Sequence, residues 1–167
     1  MSIFEKWNLE STILDAIKSR GWTEPTEIQV DAIPFARKGR DIVGQAKTGS
    51  GKTAAFGIPI LEKCEKTGIP QSIILCPTRE LAVQVTEEMN LLQGKKGLQI
   101  VSVYGGTDIE KQAKRLSNGC DIVVGTPGRV IDMSKKGHLK LQEISIFCLD
   151  EADRMLDMGF YDDIMKI

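Results

Sequence analysis

The sequence predicts an α/β fold, a mostly parallel sheet with helices on both faces. Three observations carry that expectation. Short apolar runs alternate with amphipathic stretches of helical spacing along most of the chain. A glycine-rich segment at 46–53 follows one apolar run, and an acidic pair, Asp150-Glu151, follows another. Strands that alternate with helices pair in parallel, and right-handed crossovers bring every strand's carboxyl end to one edge, where ligands bind.

Two short helices are predicted first, over 9–20 and 26–36. Gly21 suits the C-terminus of the first, and Thr26, after Pro25, suits the N-cap of the second. Strands are then predicted over 41–44, 72–76, 99–103, 121–124 and 144–149. Helices between them are predicted over 53–64, 79–92, 110–116 and 128–134. In the 79–92 stretch, Leu81, Val85, Met89 and Leu92 fall on one face at helical spacing. No repeat, low-complexity tract or linker interrupts the series.

Composition narrows the function classes. A chain of 167 residues has room for one compact domain with its own core. Hydrophobic content of 41% and charged content of 27% are those of a soluble globular protein. No apolar run approaches the roughly 18 residues of a membrane span. The start, Met1-Ser2-Ile3-Phe4-Glu5-Lys6, lacks the basic-then-apolar pattern of a signal peptide, so a cytoplasmic protein is expected. A net charge of −1 excludes a broadly basic surface, so any nucleic-acid contact must be local. Cys64, Cys76, Cys120 and Cys148 are too far apart for a zinc knuckle or redox pair and read as structural thiols. The single histidine, His138, excludes a zinc–histidine cluster and lies in a stretch that reads as a solvated turn.

The segment Ala46-Lys47-Thr48-Gly49-Ser50-Gly51-Lys52-Thr53 has the character of a phosphate-binding loop. Gly49 and Gly51 let the backbone curl so that several amides point at one anion, and a helix opening near Lys52 adds partial positive charge. Lys52 is placed to reach β- and γ-phosphates, and the Thr53 hydroxyl to ligate magnesium. The general pattern has glycine at its first position, where this chain has Ala46. Of the acidic pair, Asp150 is suited to hold magnesium, and Glu151, on the opposite side of the strand end, to orient and deprotonate an attacking water. Acidic residues also favour a first helical turn, which is the plain alternative for this pair. Loop and pair together point to nucleoside triphosphate hydrolysis.

With these segments the chain resembles the first RecA-like domain of DEAD-box ATP-dependent RNA helicases. The shared blocks are Gly21-Trp22-Thr23-Glu24-Pro25-Thr26-Glu27-Ile28-Gln29, the loop at 46–53, Pro77-Thr78-Arg79-Glu80-Leu81-Ala82, Gly105-Gly106, Thr126-Pro127-Gly128-Arg129 and Asp150-Glu151-Ala152-Asp153. Ala46 fits this family's form of the loop. The resemblance implies ATP and Mg2+ as cofactors, with residues 1–40 a helical lead carrying an adenine-reading motif and 41–167 a partial RecA-like domain.

Residue by residue, it implies that the Gln29 amide reads the adenine edge and Phe4 stacks on the base, although Phe4 alone reads equally as an ordinary apolar anchor. Trp22 and Pro25 belong to the same nucleotide-binding block, with Trp22 mainly packing. Lys52, Asp150 and Glu151 carry the catalytic roles; Thr53 and Asp150 hold the metal. Pro77, Thr78, Arg79, Gly105, Gly106, Thr126, Pro127, Gly128 and Arg129 correspond to contacts with the RNA backbone, made without reading sequence. The proline-led segments also read as ordinary helix starts, and an ion pair is the rival role for Arg79.

The family's next block, a Ser-Ala-Thr strand, is not in the sequence, nor is the second RecA-like domain with its arginine fingers. By resemblance the missing strand lies between the phosphate-loop strand and the Asp150 strand. The chain is therefore expected to be a monomeric piece of an RNA-dependent ATPase and helicase, nearly inactive alone. A catalytically incompetent RNA- or protein-interaction module is the alternative. A GTPase or small-molecule kinase is disfavoured, because no guanine-reading Asn-Lys-x-Asp occurs.

Overall fold

The computed structural model describes residues 1–167. Nine helices and four strands follow in the order α1 (Ile3–Lys6), α2 (Ser11–Ser19), α3 (Glu27–Arg37), α4 (Lys52–Lys63), β1 (Ser72–Leu75), α5 (Arg79–Gln93), β2 (Ile100–Val103), α6 (Ile109–Ser117), β3 (Ile122–Gly125), α7 (Pro127–Lys135), β4 (Ile146–Leu149), α8 (Ala152–Asp157) and α9 (Tyr161–Lys166). The chain divides into two compact units, one of Met1–Lys63 with Glu88–Gly97, the other of Cys64–Glu87 with Leu98–Ile167.

The second unit contains the sheet. Its order is β2-β3-β1-β4, and every pairing is parallel. β1 and β3, in the middle, are buried at every position, which explains why Ser72-Ile73-Ile74-Leu75 and Ile122-Val123-Val124-Gly125 read as continuous rather than alternating apolar runs. The edge strands alternate instead, and on β4 Phe147 and Leu149 remain 45% and 37% exposed. One face packs Ile73, Leu75, Val101, Val103 and Val123 against Leu116 of α6, Val130 and Met133 of α7 and Met155 of α8. At the amino ends of the strands, the buried Asp121 carboxylate accepts the N–H groups of Thr67 (3.0 Å), Gly68 (2.7 Å) and Gln99 (2.8 Å). One side chain thus ties together the segments leading into three neighbouring strands.

The first unit is helical. α3 begins with a capping box: the Thr26 side chain takes an N3 backbone N–H, and Gln29 returns a bond to the Thr26 N–H. Its core includes Ile13 and Ile17 of α2, Ile33 of α3, Ile58 and Leu61 of α4 and Leu92. Gly94, at φ 59°, ends α5, and a Cβ there would lie 2.5 Å from the Thr12 carbonyl oxygen. Both backbone conformation and space therefore demand glycine. At the C-terminal end of α4, Lys96 Nζ donates to the Leu61 carbonyl (2.6 Å) and pairs with Glu10 (2.8 Å).

The predicted α/β class stands, as do the helix and strand positions within a few residues, with one exception. Residues 41–44 form no strand; Ile42 is 42% exposed and Val43 wholly so. An extended segment becomes a strand only where a neighbour satisfies its N–H and C=O groups, and no ladder includes these residues. Apolar character alone did not supply the partner.

Candidate functional site

In the first unit, the phosphate loop turns at two glycines, Gly49 (φ 81°) and Gly51 (φ 86°), and α4 opens at Lys52 as expected. The Lys47 carbonyl accepts from the Ser50 amide (3.1 Å) and the Ser50 hydroxyl, closing the turn. A Cβ on Gly51 would lie 2.5 Å from Gln29 Nε2 and 2.8 Å from Thr26 Oγ1, so the α3 N-terminus sits hard against the loop. Gln29 makes that contact directly. Its Nε2 donates to the Gly51 carbonyl (3.2 Å), its Oε1 accepts the Thr26 N–H (3.0 Å), and the side chain is buried. A primary amide has two N–H bonds and two lone pairs, so one donor and one acceptor of Gln29 are left untaken by these two bonds. Ala46, Lys52 and Thr53 are half-buried; Lys47, Thr48 and Gly49 are exposed.

The other members of the expected nucleotide block behave differently. The Trp22 ring lies under the Arg20 guanidinium at 4.3 Å, and Arg20 pairs with Glu88 through two hydrogen bonds of 2.5 and 3.1 Å. Trp22 therefore packs, as anticipated, and Pro25 is half-buried beside it in sequence. Phe4 is only 1% exposed and meets Trp7 edge-on at 5.7 Å. The ring is enclosed in this structure, as an ordinary apolar anchor is.

In the second unit, a motif stands at the carboxyl end of every strand. Pro77-Thr78-Arg79 follows β1, Tyr104-Gly105-Gly106 follows β2, Thr126-Pro127-Gly128-Arg129 follows β3 and Asp150-Glu151 follows β4. Thr78 Oγ1 accepts the Leu81 N–H (3.2 Å), capping α5, and Thr126 is the N-cap of α7 with Pro127 in its first turn. Both helix starts direct amides to the same edge of the sheet. The Arg79 guanidinium lies 5.3 Å over the Tyr104 ring and makes no ion pair, so its rival structural role is not realised.

Asp150 is buried, and its amide donates to the Leu75 carbonyl (2.9 Å), prolonging the β1–β4 pairing by one residue. Glu151 then adopts the left-handed conformation, φ 56° and ψ 52°, as the N-cap of α8. For a residue with a Cβ that conformation costs about 1–2 kcal/mol. Arg154 Nη1 donates to Glu151 Oε2 at 3.4 Å.

The thiols behave as structural groups. Burial pushes Cys120 and Cys148 up to about 12, with the Asp150 charge adding to the effect on Cys148. Burial, then Asp150, raises Cys76 further still. All are free cysteines. His138 is exposed just after α7, its amide bonded to the Met133 carbonyl (2.9 Å).

Three residues that the motifs did not flag hold the second unit's edge and base together: Gln112, Tyr104 and Asp121. Gln112 is 5% exposed on α6 and bonds to Tyr104, Thr107 and Arg129. A buried glutamine amid Lys111 and Lys114 has no pattern signature, because helical periodicity assigns polar residues to the solvated face.

A parallel sheet whose strand ends carry these segments, together with a glycine loop opening a helix, defines a RecA-like P-loop domain. The profile of the DEAD/DEAH box helicases matches residues 26–167, and the chain belongs to that family. It is 50% identical over 165 residues to the DEAD-box ATP-dependent RNA helicase CshA of Streptococcus pneumoniae, covering 98% of this chain and 32% of that protein. The corresponding CshA of Geobacillus kaustophilus is 45% identical over 168 residues, covering 36% of its length. Among solved structures, a DEAD box protein from Methanococcus jannaschii superposes with a TM-score of 0.91 at 48% identity, covering 95% of this chain and 44% of that one. A hypothetical ATP-dependent RNA helicase from Sulfolobus tokodaii gives 0.85 at 42% identity, covering 93% and 45%. The chain thus spans about a third of the length of the curated relatives it matches.

Proposed function

We propose that this chain is the ATP-binding half of an RNA-dependent ATPase that remodels RNA by local duplex unwinding in the whole protein. The observation that carries the reading is the placement of a motif at all four strand ends of one sheet edge: two helix starts, a double-glycine turn and an acidic pair. Backbone amides, hydroxyls and two arginines grip phosphates without discriminating bases, which suits a helicase acting on many sequences.

The residues fit ATP and magnesium. Gly49 and Gly51 already hold the left-handed conformations a phosphate cradle needs, and α4 offers its N-terminal amides. Magnesium is held by few protein oxygens and keeps several waters; the Thr53 hydroxyl of the first unit and the buried Asp150 carboxylate of the second are each a donor of the kind it takes. When bound, the ion would neutralise phosphate charge. In the first unit, Lys52 supplies a point charge for phosphates; in the second, Glu151, held in a left-handed conformation, is the carboxylate suited to orient a water and take its proton. Gln29 keeps one donor and one acceptor for the adenine edge while bracing the loop. Phe4 is given no part.

Equilibrium titration of this chain with a fluorescent ATP analogue and with labelled single-stranded RNA, wild type against Lys52→Ala, tests the reading. Loss of nucleotide binding with RNA binding retained supports it. RNA binding with no nucleotide affinity in the wild type would favour the interaction module instead.

A further inference from the structure

Arg129 and the double-glycine turn belong to different motifs and different strand ends, yet one buried side chain joins them. Gln112 Oε1 accepts from Arg129 Nη1 (2.9 Å) and from the Tyr104 N–H (3.3 Å). Its Nε2 donates to the Tyr104 carbonyl (3.0 Å) and to Thr107 Oγ1 (2.6 Å). All four hydrogen-bonding positions of the amide are used, two by the residue just before Gly105-Gly106, one by the residue just after and one by the arginine. Arg129 Nη2 adds a bond to the Thr107 carbonyl (3.3 Å). The turn 105–107 is exposed, and glycine, Gly106 with φ 80° included, leaves its backbone freer than other residues would, so these bonds are what fix it.

We infer that Gln112 is a positioning residue for RNA binding, presetting Arg129 and the 105–107 turn as one phosphate-gripping unit. The inference rests on the RNA-backbone reading given above. Arginine loses rotamer freedom when it engages a phosphate, and a side chain already held in place loses less on binding. Two of the five guanidinium N–H bonds of Arg129 go to the brace, leaving three for a phosphate. Gln112 itself is buried and touches no ligand, so its influence passes through the residues it holds. Arg79 provides an internal contrast, since it rests on the Tyr104 ring and not on the amide.

The test uses this chain and a fluorescein-labelled oligouridylate, read by anisotropy across a salt series. Gln112→Met keeps the buried volume and removes the hydrogen bonds. It is expected to weaken RNA binding about 5- to 10-fold and to reduce the salt slope by about 0.7, one single-strand phosphate contact. In a double-variant cycle, Gln112→Met with Arg129→Ala is expected to lose less than the product of the two single losses. A multiplicative loss with an unchanged salt slope would mean general destabilisation and overturn the inference. Should Gln112→Met fail to fold by circular dichroism, Gln112→Glu replaces it: it retains the acceptor for Arg129 and loses both donated bonds, and affinity equal to wild type would count against the brace. If wild type binds RNA and Gln112→Met binds equally well, the inference fails alone; if wild type shows no RNA binding, the functional reading fails with it.

Discussion

The turn at 105–107 and the loop at 46–51 both depend on glycines in left-handed conformations, but they are anchored differently. The 105–107 turn leaves a strand whose ladder fixes it up to Val103, and Gln112 and Arg129 fasten its far side. The phosphate loop leaves a segment with no ladder at all, and its order comes from the α4 side, through the Ser50–Lys47 turn and the Gln29–Gly51 bond. A glycine turn of this kind can therefore be held without a paired strand before it, by its own turn bond and a side-chain contact from α3. The strand before it contributes stability only when a neighbouring strand pairs with it.

Substitutions that separate a paired strand from an unpaired one break this comparison most sharply. Ile122→Ala, in the middle of the sheet, should cost about 3 kcal/mol and lower the melting temperature by about 6–12 °C. Circular dichroism melts check it, and an effect below 1 kcal/mol would mean the ladder does not hold the unit. The next largest effect concerns the loop. Lys52→Ala removes a charge-assisted phosphate contact and should weaken ATP·Mg2+ binding about 30-fold, roughly 2 kcal/mol, by fluorescence titration. At the acidic pair, Glu151→Gly should be more stable than Glu151→Ala by about 1 kcal/mol, melting about 2–4 °C higher, since only glycine escapes the left-handed penalty. Equal melting temperatures would show that the turn relaxes. Val43→Thr, on the unpaired segment, should change stability by less than about 0.5 kcal/mol.

Alkaline titration probes the sheet from another side. An unfolded thiol titrates at about 8.5, and well below that pH the thiols are neutral in both folded and unfolded chains. Burial raises Cys120 and Cys148 to about 12, so between those values only the unfolded chain ionises, and stability should fall as pH rises through that window. Replacing both by serine or alanine should flatten that part of the stability–pH curve.

Much of this was legible in the sequence because local chemistry determines it. Continuous apolar runs such as Ile73-Ile74-Leu75 can only be two-sided strands or helix, and flanking helical patterns decide between them. The left-handed glycines of the loop and the helix starts at Thr78 and Thr126 follow from turn and cap chemistry. What was not legible depends on partners distant in sequence. Residues 41–44 have strand composition but no neighbour to pair with. Phe4 reads in the sequence both as a stacking aromatic, by resemblance, and as an apolar anchor, and tertiary packing encloses it. Gln112 and Asp121 are polar residues whose value lies in backbone groups brought to them by the fold, and no spacing rule marks such positions.

The central claim is that RNA is held along the carboxyl edge of the sheet while the phosphate loop holds ATP. Amide-resolved 1H–15N spectra of this chain, titrated separately with oligouridylate and with ATP·Mg2+, test it most directly. RNA should shift the amides of residues 78–79, 105–107 and 126–129, excluding the proline, and ATP·Mg2+ those of 47–53. RNA-induced shifts confined to the opposite edge, around 67–71 and 118–121, would contradict the account.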